Sequence, residues 1–196
     1  MSETTYAPQH EKGGLLSGCS GAKKLPNEFA KPHTIHGTVY ELPNIEQAFV
    51  YPSSMGVSSS SEDMGRWLQF LMYNHPALLK QEWFDRLRVP QNHYVIKAKN
   101  SYIFPKTRTN TVDYCYGAML TPYGKDQKIK LYIQNGAWIG GTARMSFETE
   151  LDLGIVVLSN LGSNQDCMAP EAITFKCLDL ALGIDDTDWN AVILNH

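Results

Sequence analysis

Along residues 131–161, LYIQNGAWIGGTARMSFETELDLGIVVLSNL, two apolar runs flank a Gly-rich turn and a second, charged turn. That is the layout of consecutive antiparallel strands in a buried sheet. The pattern predicts strands over 114–120, 128–134, 143–148 and 153–159. Tyr123-Gly124-Lys125-Asp126 serves as a hairpin-type turn and Glu150-Leu151-Asp152 as a tight acidic one. Residues 38–42 have the pattern of one more short strand. The rest of 1–50 is broken by Gly-Gly, Leu-Pro and Lys-Pro pairs, which initiate turns rather than helices.

Helical spacing appears at three places. Met64, Trp67, Leu68 and Leu71 recur at i, i+3, i+4 and i+7, an inward stripe on one face. Ser60 with Asp63 fits a capping box before it, Glu62 and Asp63 favour the positive end of the dipole, and Asn74-His75-Pro76 stops the run. A second helix is predicted over 80–87, with Trp83, Phe84 and Leu87 inward and Val89-Pro90 as the stop. A third covers 170–182, with Ile173, Cys177, Leu178, Leu180 and Ala181 as its apolar face and Gly183 beyond its end. Residues 91–111 are polar and carry no clear pattern. The expected organisation is one partial domain over 1–196: a loop-rich segment 1–57, a helical segment 58–90, sheet strands and closing helix over 112–183, and a tail 184–196. The fold class is α+β, an antiparallel sheet flanked by helices.

Composition narrows the function. A 43% hydrophobic fraction supports a true core, and the net charge of −3 offers no basic stripe for phosphate backbones, so nucleic acid is not an expected partner. No apolar run approaches the ~18 residues of a membrane span. The start, MSETTYAPQHEKGG, lacks the basic and apolar parts of a signal peptide. This leaves either a chain that stays inside the cell or an export signal on an upstream part, and the compartment is open. Cys19, Cys115, Cys167 and Cys177 show no zinc-type spacing. Cys177 reads as core, and a Cys167–Cys177 bridge is possible only in an oxidising compartment. His33 and His36 flank Ile35 without a second ligand pair, and read as loop-bracing residues. Asp185, Asp186 and Asp188 read as a solvated loop, and Gly140-Gly141 as a turn rather than a phosphate loop. No metal or organic cofactor is expected.

The order of short motifs is more telling. It runs M-S-E-T-T-Y, then A-K-P-H-x-x-x-G, then S-S-E-D-M-x-R-W-L, then Y-x-Y-G, then x-N-G-A with a Gly-rich turn, then L-G-I-V-V-L-S-N. This set resembles the C-terminal half of the class C β-lactamase-like serine hydrolases, a family that includes DD-peptidases and esterases, across roughly residues 1–190. The resemblance implies a sheet-and-helix part packed on a mostly helical region, with the active site between them. It implies acyl transfer to a serine, then hydrolysis of the acyl-enzyme, on an ester, peptide or β-lactam. The family's nucleophile comes from S-x-x-K, its partner Tyr from Y-x-N, and its third motif, K-T-G or H-x-G, lies on an inner strand. The first two motifs lie upstream of M-S-E-T-T-Y in the family, so this chain is expected to start after both.

The third motif maps onto Gln134, Asn135, Gly136 and Ala137. A tetrahedral intermediate needs two N–H donors, and the resemblance assigns one of them to Ala137. The same strand can pair with an acyl substrate by strand addition. Gln134 departs from the family's Lys or His: it donates a hydrogen bond but carries no charge and cannot titrate. That puts recognition of a substrate carboxylate, and any acid–base role here, in doubt. Tyr114, Tyr116 and Trp138 are candidates to line the cleft, although ordinary strand packing explains them as well. Ser20-Gly21-Ala22-Lys23 matches S-x-x-K only formally, because GCSGAKKLP holds Gly on both sides of Ser20 and no amphipathic helix follows. Tyr51-Pro52-Ser53 reads as a turn rather than as Y-x-N. The expectation is therefore no catalytic residue and no serine acylation by this chain alone. The alternatives are a non-catalytic relative that binds a ligand or peptide, and half of a split protein that needs an N-terminal partner.

Overall fold

The computed structural model describes residues 5–6, 30–36, 38–41, 57–95, 111–124, 126–138, 140–162, 169–184, 187–189 and 191. Ser20, Lys23, Tyr51, Ser53, Cys19, Cys167, Asp185 and Asp186 lie outside the described residues.

Ten strands and three helices follow in order among the described residues. They are β1 (Thr5–Tyr6), β2 (His33–His36), β3 (Thr38–Glu41), β4 (Val57–Ser58), α1 (Ser61–Tyr73) and α2 (Gln81–Leu87). Then come β5 (Asn92–Val95), β6 (Thr111–Tyr114), β7 (Met119–Tyr123), β8 (Ile129–Trp138), β9 (Gly141–Glu148), β10 (Leu153–Ser159) and α3 (Ala169–Ala181). Strands β5 to β10 form a six-stranded sheet in sequence order, antiparallel at every junction. Two small ribbons, β1–β4 and β2–β3, complete the strand pairing. The α+β expectation therefore holds.

Strand alternation gives each sheet face its own core. On one face Val112, Tyr123, Leu131 and Ile133 meet Phe175 and Leu178 of α3 and Trp189. On the other, Tyr132 and Phe147 stack at 5.0 Å beneath Leu68 of α1, with Cys115 and Ala118. Helix α1 starts as its capping signal requires: Asp63 N–H donates to Ser60 Oγ at 3.2 Å. It ends at Asn74, whose φ of 50° breaks the helix. It packs so closely on β10 that a Cβ on Gly154 would meet Met72 Sδ at 2.8 Å.

Four expectations need correction. The strand expected over 114–120 is two strands, because Gly117 at φ +85° and the 2.8 Å bond from Cys115 N–H to Ala118 C=O fold residues 115–118 into a turn. The patternless 91–111 region contains β5, whose polar residues suit an outer strand. The closing helix turns a different face inward: Ile173 and Leu180 are exposed, while Thr174, Phe175, Leu178 and Asp179 are buried. Cys177 is consequently exposed rather than core. Trp83 and Trp67 also stand partly in solvent, leaving Phe84 and Leu68 as the buried anchors of their helices.

The tail joins this packing. Ile184 and Trp189 are buried, and Trp189 stacks on Phe175 at 4.9 Å. Its Nε1–H donates to Asp179 Oδ2 at 2.8 Å, while Tyr123 Oη–H donates to Asp179 Oδ1 at 2.7 Å. A carboxylate with both oxygens bonded can be buried at tolerable cost. Periodicity alone treats Asp179 as a polar, outward position, so the tie was invisible in the apolar pattern.

Candidate functional site

Strand β8 changes character halfway. Its first half pairs with β7 over residues 129–133, ending at the rung Met119↔Ile133, and Tyr132 and Ile133 pair with β9 as well. Among the described residues its second half has a strand partner on one side only. Gln134↔Met145, Asn135↔Arg144, Gly136↔Ala143, Ala137↔Thr142 and Trp138↔Gly141 all belong to β9. The turn 115–118 has carried the chain away from the β7 side. The burial follows the pairing. Leu131 and Ile133 are fully buried, Gln134 and Asn135 half-buried, Gly136 and Ala137 exposed.

The register fixes which main-chain groups face the open side. β8 and β9 join through two residues, so Trp138 and Gly141 are the hydrogen-bonded pair that closes the hairpin. Hydrogen-bonded and non-hydrogen-bonded pairs alternate along an antiparallel ladder. Gly136 and Gln134 therefore bond to β9, whereas Ala137 and Asn135 turn their N–H and C=O groups toward the open side. One observation independent of the register agrees. Asn135 C=O accepts a hydrogen bond from Gln134 Nε2 at 3.3 Å, which a carbonyl engaged with β9 would not need.

Gln134 is further held by Tyr114, whose hydroxyl donates to Gln134 Oε1 at 3.3 Å. Its amide thus bridges β6 to the open edge and covers one edge carbonyl. Tyr116 stands 48% exposed on the 115–118 turn, just before the last β7–β8 rung. Trp138 contributes the final rung of the edge. The four residues of the expected third motif, Gln134, Asn135, Gly136 and Ala137, therefore form one extended, one-sided ribbon with Tyr114 and the Tyr116 turn at its start. The His33 imidazole instead braces the far end of the hairpin. Its Nδ1 lies 3.2 Å from Asn160 Nδ2, and its main-chain N–H donates to Asn160 C=O at 2.8 Å.

Behind this ribbon lies a cation that the apolar pattern did not reveal. Arg144, opposite Asn135, is buried with its guanidinium 4.7 Å from the Phe175 ring centre and Nη1 3.3 Å from Glu171 Oε1. Burial depresses its pKa to about 10, against the pull of Glu171. Among the described residues Arg144 Nε and Nη2, Asn135 Oδ1 and Ser146 Oγ have no hydrogen-bond partner. The polar alternation Thr142, Arg144, Ser146, Glu148 reads as a solvent face. Helix α3 covers Arg144 and Ser146 instead, and Glu148, also buried, accepts from Leu151 N–H. At Cys115, near the edge, burial and then Asp113 push the thiol pKa up, which disfavours the thiolate, and Sγ donates to Arg88 C=O at 3.4 Å. Among the described residues no group of three or more His, Cys, Asp or Glu could hold a metal ion, and no helix is long and apolar enough to cross a membrane.

No protein-family model matches the sequence, and no curated protein does either. Among solved structures the chain is similar to a penicillin binding protein from Bacillus halodurans. That match has a TM-score of 0.53 and 19% identity, and it covers 79% of this chain and 41% of that one. The fold is penicillin-binding-protein-like. At this identity the likeness speaks for architecture, and it does not single out the class C group. The chain spans well under two thirds of that protein's length.

Proposed function

We propose that this chain is the substrate-docking part of a β-lactamase-related acyl-serine hydrolase, one partial domain over residues 1–196. The carrying observation is the one-sided ribbon at residues 134–137. An extended acyl or peptide ligand adds to it as a further strand, exchanging main-chain bonds with Asn135 and Ala137. As the ligand docks, the Gln134 amide gives up the Asn135 carbonyl to the ligand's N–H. Ala137 N–H then serves as one of the two donors for a developing oxyanion. Gln134 orients the ligand as a neutral donor, so proton transfer and the attacking hydroxyl come from a helical part that carries S-x-x-K and Y-x-N. That part lies outside these 196 residues, on the same polypeptide or on a partner chain.

Two measurements test this reading. A fluorescent acylating probe should leave no covalent adduct on the purified chain, and an adduct mapped to Ser20 would overturn the division of labour. A short extended acyl peptide should bind without turnover, and Ala137→Pro, which removes the N–H, should weaken that binding. A second reading, a purely ligand-binding relative, draws on the uncharged Gln134. It predicts that adding a helical part with an intact S-x-x-K produces no hydrolysis.

A further inference from the structure

The loss of charge at Gln134 raises the question of where a ligand carboxylate could be held. Arg86, exposed in the last turn of α2, has a carboxylate four residues back at Glu82, the usual partner on a helix surface. Its guanidinium lies elsewhere. Arg86 Cζ sits 5.4 Å from the Trp83 ring centre and 5.9 Å from that of Tyr116. Both rings are nearly half exposed, at 45% and 48%. Among the described residues Arg86 makes no ion pair.

Aromatic faces restrain a guanidinium in a plane while leaving its N–H edge open, and that edge matches a carboxylate with two parallel hydrogen bonds. The two rings come from separate elements, α2 and the 115–118 turn. That turn is held to the segment after α2 by Cys115 Sγ to Arg88 C=O, 3.4 Å, and by Gln91 N–H to Tyr114 C=O, 2.8 Å. It lies beside the last β7–β8 rung, where the open edge of β8 begins. A strand laid along residues 134–137, at about 3.3 Å per residue, therefore has one end on the side of the 115–118 turn that carries Tyr116.

The geometry points to Trp83, Arg86 and Tyr116 as a carboxylate-binding subsite that reads the terminal carboxylate of a ligand lying along the β8 edge. This rests on the docking reading above only for the ligand's path; the recognition of the carboxylate stands on the cluster itself.

The test compares acetyl-trialanine as the free acid and as its C-terminal amide, titrated calorimetrically against the full chain. The acid should bind about tenfold more tightly than the amide, as a charge-assisted pair implies. Arg86→Gln should bring the acid down to the level of the amide. Arg86→Lys should keep only part of the difference, because an ammonium neither stacks nor forks. Trp83→Ala, at an exposed position that does not threaten the fold, should also shrink the ratio. Ala137→Pro should weaken acid and amide alike and leave their ratio intact. If it weakens neither while Arg86→Gln erases the ratio, the subsite stands and the edge-docking reading falls. Equal affinities in the wild type, no detectable acid binding, or a ratio unchanged in Arg86→Gln would each overturn the proposal.

Discussion

The two halves of β8 share one strand and one neighbour, β9, yet they do opposite things. Residues 129–133 pair with β7, with β9 joining at Tyr132 and Ile133, and Leu131 and Ile133 vanish into the core. Residues 134–137 keep the extended backbone but lose the second neighbour. An unpaired strand edge is a liability that proteins cover or use. Here a glutamine side chain covers part of it, bonded to Tyr114 on one side and to the Asn135 carbonyl on the other. The difference is instructive: the first half of the strand supplies stability, and that rigidity holds the second half extended.

Mutations should separate the halves sharply. Ile133→Ala, in the gripped half, should cost about 3 kcal/mol in denaturant unfolding, the usual price of emptying a sealed core position. A loss below about 1 kcal/mol would mean that the β7–β8 clamp is not the stable half. Asp179→Ala, which removes the carboxylate that accepts from Tyr123 Oη–H and Trp189 Nε1–H, should cost about 2 kcal/mol and flatten the near-UV signal of Trp189.

Arg144 sharpens the comparison from beneath the open half. Its folded pKa lies below the ordinary arginine value, so the unfolded chain holds this proton more firmly than the native one. Stability linked to Arg144 is therefore lowest at neutral pH and rises as pH climbs above about 10. Arg144→Met should match or exceed the wild-type stability at pH 7, by up to about 1 kcal/mol, with the advantage shrinking in alkaline buffer. A clear destabilisation at pH 7 would show that the Glu171 pair outweighs desolvation. The smallest effect belongs to Ala137→Pro. With its N–H facing no strand, the change should shift unfolding by less than about 1 kcal/mol, as proline is tolerated on an open strand edge. A large loss would place that N–H inside the ladder.

Much of this architecture was legible in the residues. Ser60 and Asp63 announce α1, the 153–159 apolar run announces β10, and the order of short motifs, read as class C β-lactamase-like, led to an α+β fold that is penicillin-binding-protein-like. The missed parts share a physical cause. Strand β5 is polar because it lies at the sheet's outer edge, Asp179 and Arg144 are charged yet buried, and Cys177 and Ile173 are apolar yet exposed. Hydrophobic periodicity reads which face is oily. It does not read whether a charge has found partners, and partners decide burial. The Trp83–Arg86–Tyr116 cluster was illegible for a related reason, since it joins two elements that the sequence keeps thirty positions apart.

The most direct measurement is backbone amide hydrogen exchange resolved along β8 in the free protein. The alternation derived from the register predicts slow exchange at Leu131, Tyr132 and Ile133, slow exchange at Gln134 and Gly136, and fast exchange at Asn135 and Ala137, with those two slowing when acetyl-trialanine is added. Protection of the Ala137 amide in the free protein as strong as that of Ile133 would contradict the account.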